Sequence, residues 1–204
     1  MNATDPQIEY HPLQPFLPAG AKLLLLGSFP PPQTRWCMDF FYPNPQNDMW
    51  RIMGLLFYGD KLHFVEQTPK PVFRYEAVVA FCRERGIAIF DTAQAVKRLH
   101  GNASDEHLEI VLPTDITALL RQLPDCRDIC CTGQKAAATL AEMLGCPTPR
   151  IGTCTTVVFP FTDGISAARS IRFWRMPSTS RAYPLSLSAK ADAYRRMAEE
   201  IGLL

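Results

Sequence analysis

The chain has 204 residues, of which 20% are charged and 47% apolar, and its formal net charge is +1. That length suits one domain, 1–204, with a core large enough to need no disulfide or metal staple. The near-neutral balance means that the molecule as a whole is no polycation, although a local basic patch can still hold phosphates.

Residues 1–18 are rich in proline and read as a strap on the domain. Ala21–Ser28 is a continuous apolar run ending in Gly-Ser, the pattern of a strand buried on both faces. Met49, Ile52, Met53 and Leu56 recur at helical spacing, and Tyr75, Val78, Val79 and Cys82 repeat it before Gly86 stops that helix. Ile87–Asp91 is the second strand, and Asp91–Arg98 is expected as a loop after it. Pro113 and Asp115 open a helix carrying Ile116, Leu119, Leu120 and Leu123. Asp128–Thr132 is the third strand, followed by a helix through Ala137, Leu140, Ala141 and Leu144 that Gly145 closes. Thr155–Phe159 or Arg172–Met176, or both, supply the fourth, and Tyr194, Met197, Ile201 and Leu204 mark the last helix.

Strands alternating with helices imply an α/β fold with a mostly parallel four-stranded sheet covered on both faces. Ligands of such sheets bind beyond the carboxyl ends of the strands. The segments expected to meet there are 27–50, 91–98, 132–135 and 177–183.

No apolar run approaches the ~20 residues that span a bilayer, and the first fifteen residues lack the basic start and apolar stretch of a secretory signal. The seven cysteines are odd in number, form no CxxC, and several fall in apolar runs. They read as buried free thiols in a reducing cytoplasm, with no zinc ribbon or iron–sulfur cluster. No GxxxxGK[ST] or GxGxxG occurs, which disfavours nucleoside triphosphates and dinucleotides. No cofactor, metal or membrane partner is expected, and the chain is read as a monomer.

Segment 27–50 carries the most chemical information, because loops this long in compact domains are usually functional. Tyr42, with Phe40 and Phe41, offers flat apolar faces, while Asn44 and Asn47 can read an amide-like edge. Together they suit a planar heterocycle such as a nucleobase. A plainer alternative has equal weight: the aromatics pack under the loop and Asn47 caps the next helix. Asp39, Asp48 and Asp91 are rival candidates. Asp48 reads first as a carboxylate favouring a helix N-terminus, and Asp91 as a group that orders a pocket. His11, His63, His100 and His107 show no ligand-like spacing and read as surface or core histidines. Between Ser166 and Tyr183 stand Arg169, Arg172, Arg175 and Arg181 with no acid, a patch able to hold phosphates.

Four short motifs in order resemble the uracil-DNA glycosylase superfamily, most of all its hypoxanthine-DNA and mismatch-specific branches. They are G-S-F-P-P at 27–31 with Y-P-N-P-Q-N-D-M-W at 42–50, G-I-A-I-F-D at 86–91, T-G-Q-K-A at 132–136, and M-P-S-T-S-R-A-Y at 176–183. The resemblance implies a three-layer αβα sandwich and a monofunctional DNA glycosylase of base excision repair, with DNA as partner. It places Asn47 at the catalytic asparagine and Tyr42 at the aromatic that stacks on the flipped base. Gly27, Ser28, Phe29 and Asn44 fall on the base-binding segment. Pro177, Ser178, Thr179, Ser180 and Arg181 fall on the loop that grips DNA, with Asp91 and Thr132 as pocket supports. Phe29 stands where most branches carry a water-activating Asp or Asn, and Met176 where uracil-specific enzymes carry a His. Asn44 replaces a common His, and Tyr183 an Asn. The alternatives are an inactive nucleic-acid-binding member of the same fold and a hydrolase of free nucleosides or nucleotides.

Overall fold

The computed structural model of the chain describes residues 7–66, 68–99, 107–159 and 168–204. The expected strap is thus described from residue 7 onward, and His100 and Ser166 lie outside the described residues. In chain order the elements begin with β1 (Ile8–Tyr10), β2 (Leu23–Gly27), α1 (Met49–Tyr58), the short pair β3 (Val65–Glu66) and β4 (Val72–Phe73), and α2 (Tyr75–Arg85). There follow β5 (Ile87–Asp91), β6 (Ala93–Arg98), β7 (Leu108–Pro113), α3 (Ile116–Arg121), β8 (Asp128–Thr132) and α4 (Gln134–Leu144). The chain closes with β9 (Thr153–Phe159), β10 (Arg169–Met176) and α5 (Leu187–Glu200).

The core sheet has five strands in the order β5-β2-β8-β10-β9, not four. β2 pairs in parallel with β5 and β8, and β10 in parallel with β8, while β9 runs antiparallel to β10. Both candidate strands near the C-terminal third therefore form. Every residue of β2, β5 and β8 is buried, which is why all three read as unbroken apolar runs. β9 lies at the edge and alternates exposed with covered positions, so its signal is weaker.

The connection from β2 to β5 runs one way along the sheet, and those from β5 to β8 and β8 to β10 run the other. Right-handed crossovers then place α1 and α2 on one face and α3 and α4 on the opposite face. The reversal leaves a crevice above the carboxyl ends of β2 and β8. The helix boundaries follow their caps: Gly86 and Gly145 end α2 and α4 in the left-handed conformation, and the Asp115 carboxylate accepts from Ala118 N–H at the start of α3. Among the described residues no helix is long and apolar enough to cross a membrane.

Residues 93–98 are a strand rather than the expected loop. β6 joins β1 and β7 in a second, antiparallel sheet, order β1-β6-β7. Thr92, fully buried, is the hinge between β5 and β6, and its N–H donates to Gly27 O at 2.9 Å. The chain beyond the second strand thus turns into that second sheet instead of crossing the mouth of the crevice.

Candidate active site

A cleft of about 670 Å³ opens above the strand ends. Gly27, Asp91 and Thr132, the last residues of β2, β5 and β8, form its floor. Ser28, Phe29, Tyr42, Asn44 and Asn47 line it from the first loop, and Ser178, Thr179, Ser180 and Arg181 from the late one. Of the residues read from sequence, Pro177 stands apart: it is buried and does not line the cleft, and its carbonyl accepts from Tyr194 Oη at 3.0 Å. Thr179 is 2% exposed, so the outward groups of this loop are Ser178, Ser180 and Arg181.

The two loops are joined directly. Asn47 and Ser180 form an antiparallel bridge, Asp48 N–H donates to Thr179 O at 2.8 Å, and Arg181 N–H to Gln46 O at 3.2 Å. Beneath that join, the Asp48 carboxylate accepts from Arg181 Nε at 3.0 Å and from Lys190 Nζ at 3.1 Å. Lys190 is fully buried and also donates to Ser180 O at 2.7 Å. Asp48 occupies the N-cap position of α1 but makes no side-chain cap bond. Its work is to tie the late loop to α1, which its expected role at the helix terminus did not include. Lys190 carried a readable signal: it stands four before Tyr194 and seven before Met197, a lysine on the apolar stripe of α5.

The first loop is stapled to itself. Trp36 Nε1 donates to Pro31 O at 2.7 Å and Cys37 N–H to Pro43 O at 3.0 Å. Phe40 and Phe41 pack into the core, so the plainer reading holds for Phe40, while Phe41 also borders the cleft. Among the described residues, Tyr42 is the one non-glycine with positive φ, +50°. Left-handed backbone costs such a residue about 1 kcal/mol or more and concentrates at functional sites. Tyr42 Oη lies 2.9 Å from Thr132 Oγ1, which pins the ring across the floor. Burial, and then the Asp91 charge, push its phenol well above the ordinary range, so it stays protonated.

Asn47 Oδ1 accepts from Met49 N–H at 2.9 Å, as a residue capping the helix would. That bond fixes which end of the amide is the oxygen, and no described residue accepts from its Nδ2. The structural and chemical readings of Asn47 are therefore compatible: the oxygen anchors, and the amino group is left to the cleft it lines. Asn44 Oδ1 closes a turn on Gln46 N–H at 2.9 Å. Phe29 borders the cleft, but its ring packs with Ala93, Val96 and Leu108 of the second sheet.

His11 was not expected here. Its Nε2 lies 2.8 Å from Asp91 Oδ2, with both side chains buried, and its ring meets Phe29 edge-on at 5.3 Å. A β-carbon on Gly27 would fall onto Asp91 Oδ1, so the glycine makes room for that carboxylate. The four late arginines do not form one patch. Arg169 donates to the Leu120 and Leu123 carbonyls, Arg172 pairs with Asp128, and Arg175 donates to Pro149 O. Of the four, Arg181 alone borders the cleft.

No family model and no curated protein sequence matches the chain. Among solved structures, it is similar to the solution NMR structure of a "putative Uracil DNA glycosylase" from Methanosarcina acetivorans. The TM-score is 0.60 at 21% sequence identity, and the match covers 94% of this chain and 99% of that one. The chain has a uracil-DNA glycosylase-like fold. Within that fold the strand-end cleft, the aromatic first loop and the serine-bearing late loop are parts of one continuous surface.

Proposed function

We propose that the chain is a monofunctional DNA glycosylase that hydrolyses the N-glycosidic bond of a flipped damaged or mismatched base, uracil, hypoxanthine or a relative. One observation carries this reading: Tyr42 and Asn47 from the first loop and Ser178 and Ser180 from the late loop line one cleft, with the two loops joined at Asn47 and Ser180. The remaining features give each group a role. A base extruded from the duplex stacks on Tyr42, whose ring is held at both ends by its backbone and by Thr132. Unstacking costs a few kcal/mol, least for a mismatched or damaged base.

Ser178 Oγ accepts from Ser180 N–H and Ser180 Oγ from Ala182 N–H, each at 3.2 Å. Accepting in this way leaves both hydroxyl protons to donate to phosphates flanking the gap, with Arg181 beside them. As the glycosidic bond breaks, negative charge grows on the leaving base and positive charge on the sugar. The Asn47 amino group donates to the base where that charge appears, and the hydrolytic water enters on the other side of the sugar. An amide is no general base, so the rate comes from leaving-group stabilisation and positioning. Among the described residues lining the cleft there is no lysine to form a Schiff base. Lys190 Nζ is held behind the late loop by Asp48 and Ser180 O.

The seating of Phe29 in the second sheet, with no acid in its place, supports the second reading, a nucleic-acid-binding protein without catalysis. Labelled duplexes carrying uracil, hypoxanthine, a thymine mismatch or a 5-substituted pyrimidine, treated with alkali after incubation, separate the readings. The glycosylase gives strand cleavage that Asn47→Ala abolishes. Binding without cleavage supports the second reading, and turnover of free nucleosides without duplex binding supports a nucleoside hydrolase.

A further inference from the structure

Behind the late loop, on the side away from the cleft, lies a second pocket of about 610 Å³. Arg51, Lys61, Arg181 and Lys190 line it with a single carboxylate, Asp48. That carboxylate is already divided between Arg181 and Lys190. Arg51 is 7% exposed and has no carboxylate of its own. Its Nη1 donates to the Pro45 and Asn47 carbonyls at 3.0 and 3.1 Å, and its guanidinium lies over the Phe73 ring. No described residue supplies an acceptor for its Nε and Nη2, which are left to the pocket. A buried cation that shares one carboxylate with two other cations is costly to hold unless a further anion joins it. The Arg51 pKa is lowered accordingly, by burial first and then by the Arg181 charge.

We propose that this pocket seats a backbone phosphate of the bound DNA strand, held by Arg51 and Lys61. The planar guanidinium fork suits the paired oxygens of a phosphate, and Lys61, exposed at the rim, adds a mobile second charge. Arg181 borders both the cleft and this pocket. A strand gripped at Ser178 and Ser180 therefore passes Arg181 into it. Binding there also loads the α1 end from which Asn47 projects, since Arg51 holds the Asn47 carbonyl. The inference rests on the cleft being a DNA site and adds a contact that the first and late loops do not supply.

The test is the salt dependence of affinity for a labelled, undamaged duplex, measured by fluorescence anisotropy with Lys61→Gln, Arg51→Gln and the wild-type chain. Each lost phosphate contact makes the log–log slope shallower by about 0.9, so the affinity ratio between 50 and 200 mM salt shrinks about 3.5-fold. Lys22→Gln, at the opposite end of the sheet, leaves the slope unchanged. Arg51→Gln also loosens the loop carrying Asn47, so Lys61→Gln is the cleaner variant. An unchanged slope in both variants overturns the proposal while leaving base excision untouched. Inorganic phosphate that perturbs the Arg51 side-chain NMR signal, with duplex slopes unmoved, assigns the pocket to free phosphate and overturns it too. A Lys61-dependent slope without base release supports this pocket and defeats the glycosylase reading. Absence of duplex binding defeats both.

Discussion

The central sheet and the cleft above it are built on opposite physical plans. In β2, from Leu23 to Leu26, the sheet presents four consecutive leucines at 0–1% exposure, packed in a single core. Above the strand ends, the rim buries Asp48, Arg51, Asp91, Thr179 and Lys190, and bends Tyr42 to a positive φ. Apolar burial stabilises by about 25 cal/mol per Å², whereas a buried ion pair seldom improves on a hydrophobic pair of the same volume. The polar rim is thus retained for shape: Asp48 and Lys190 hold two loops in one register, and His11 holds Asp91 against the floor. Stability resides in the sheet and geometry in the rim.

Mutations that separate those two properties test this contrast. The largest effect expected is that of Asn47→Ala, which lowers the rate of base release by at least roughly a hundredfold, the scale for losing one donor to developing negative charge. The same change removes the bond to Met49 N–H and costs about 1 kcal/mol in denaturant unfolding, a typical cap loss. Next come two changes of comparable stability cost. Leu25→Ala opens a cavity in the sheet and costs about 3 kcal/mol or more, without altering turnover per folded molecule. Lys190→Met leaves Asp48 with Arg181 alone, costs about 3 kcal/mol, and also weakens duplex binding because Ser180 loses its anchor. Equal losses of turnover in both variants would erase the distinction. Gly27→Ala drives a methyl into Asp91 and lowers turnover about tenfold, with at most about 2 kcal/mol of destabilisation in thermal melts.

The last effect leaves function aside and belongs to the buried core. Burial raises the Cys126 thiol from its ordinary 9.0 to about 11, and raises Cys82, Cys130 and Cys131 as well. Below pH 9 these thiols are protonated whether folded or unfolded. Above it the unfolded chain releases protons that the folded chain keeps, so stability falls as pH rises. For Cys126 alone the slope is about 1.4 kcal/mol per pH unit between about 9 and 11. Denaturant titrations across that window measure it.

The same contrast explains what the sequence disclosed. The unbroken apolar runs of β2, β5 and β8 were legible because both faces of each strand are buried. β6 and β7 were not, because register shifts around Ala95 break the period-two alternation that would announce them. β1 has three residues, too few to show a period. At the site, Tyr42 and Asn47 were legible through a long aromatic loop with its own local logic. His11 was invisible because its partner Asp91 lies eighty positions away and nothing local marks the pair. The late arginines misled for the converse reason: neighbours along β10 point their guanidiniums at different carbonyls and carboxylates.

A cleft that removes a base from DNA leaves the free base as its first product. Chromatography of supernatants from duplexes bearing uracil, hypoxanthine or a thymine mismatch should show one released base per abasic site formed. The signal should vanish in Asn47→Ala while duplex affinity persists. Tight duplex binding with no base released from any substrate, or release that survives Asn47→Ala undiminished, would contradict base excision by Asn47 in this cleft.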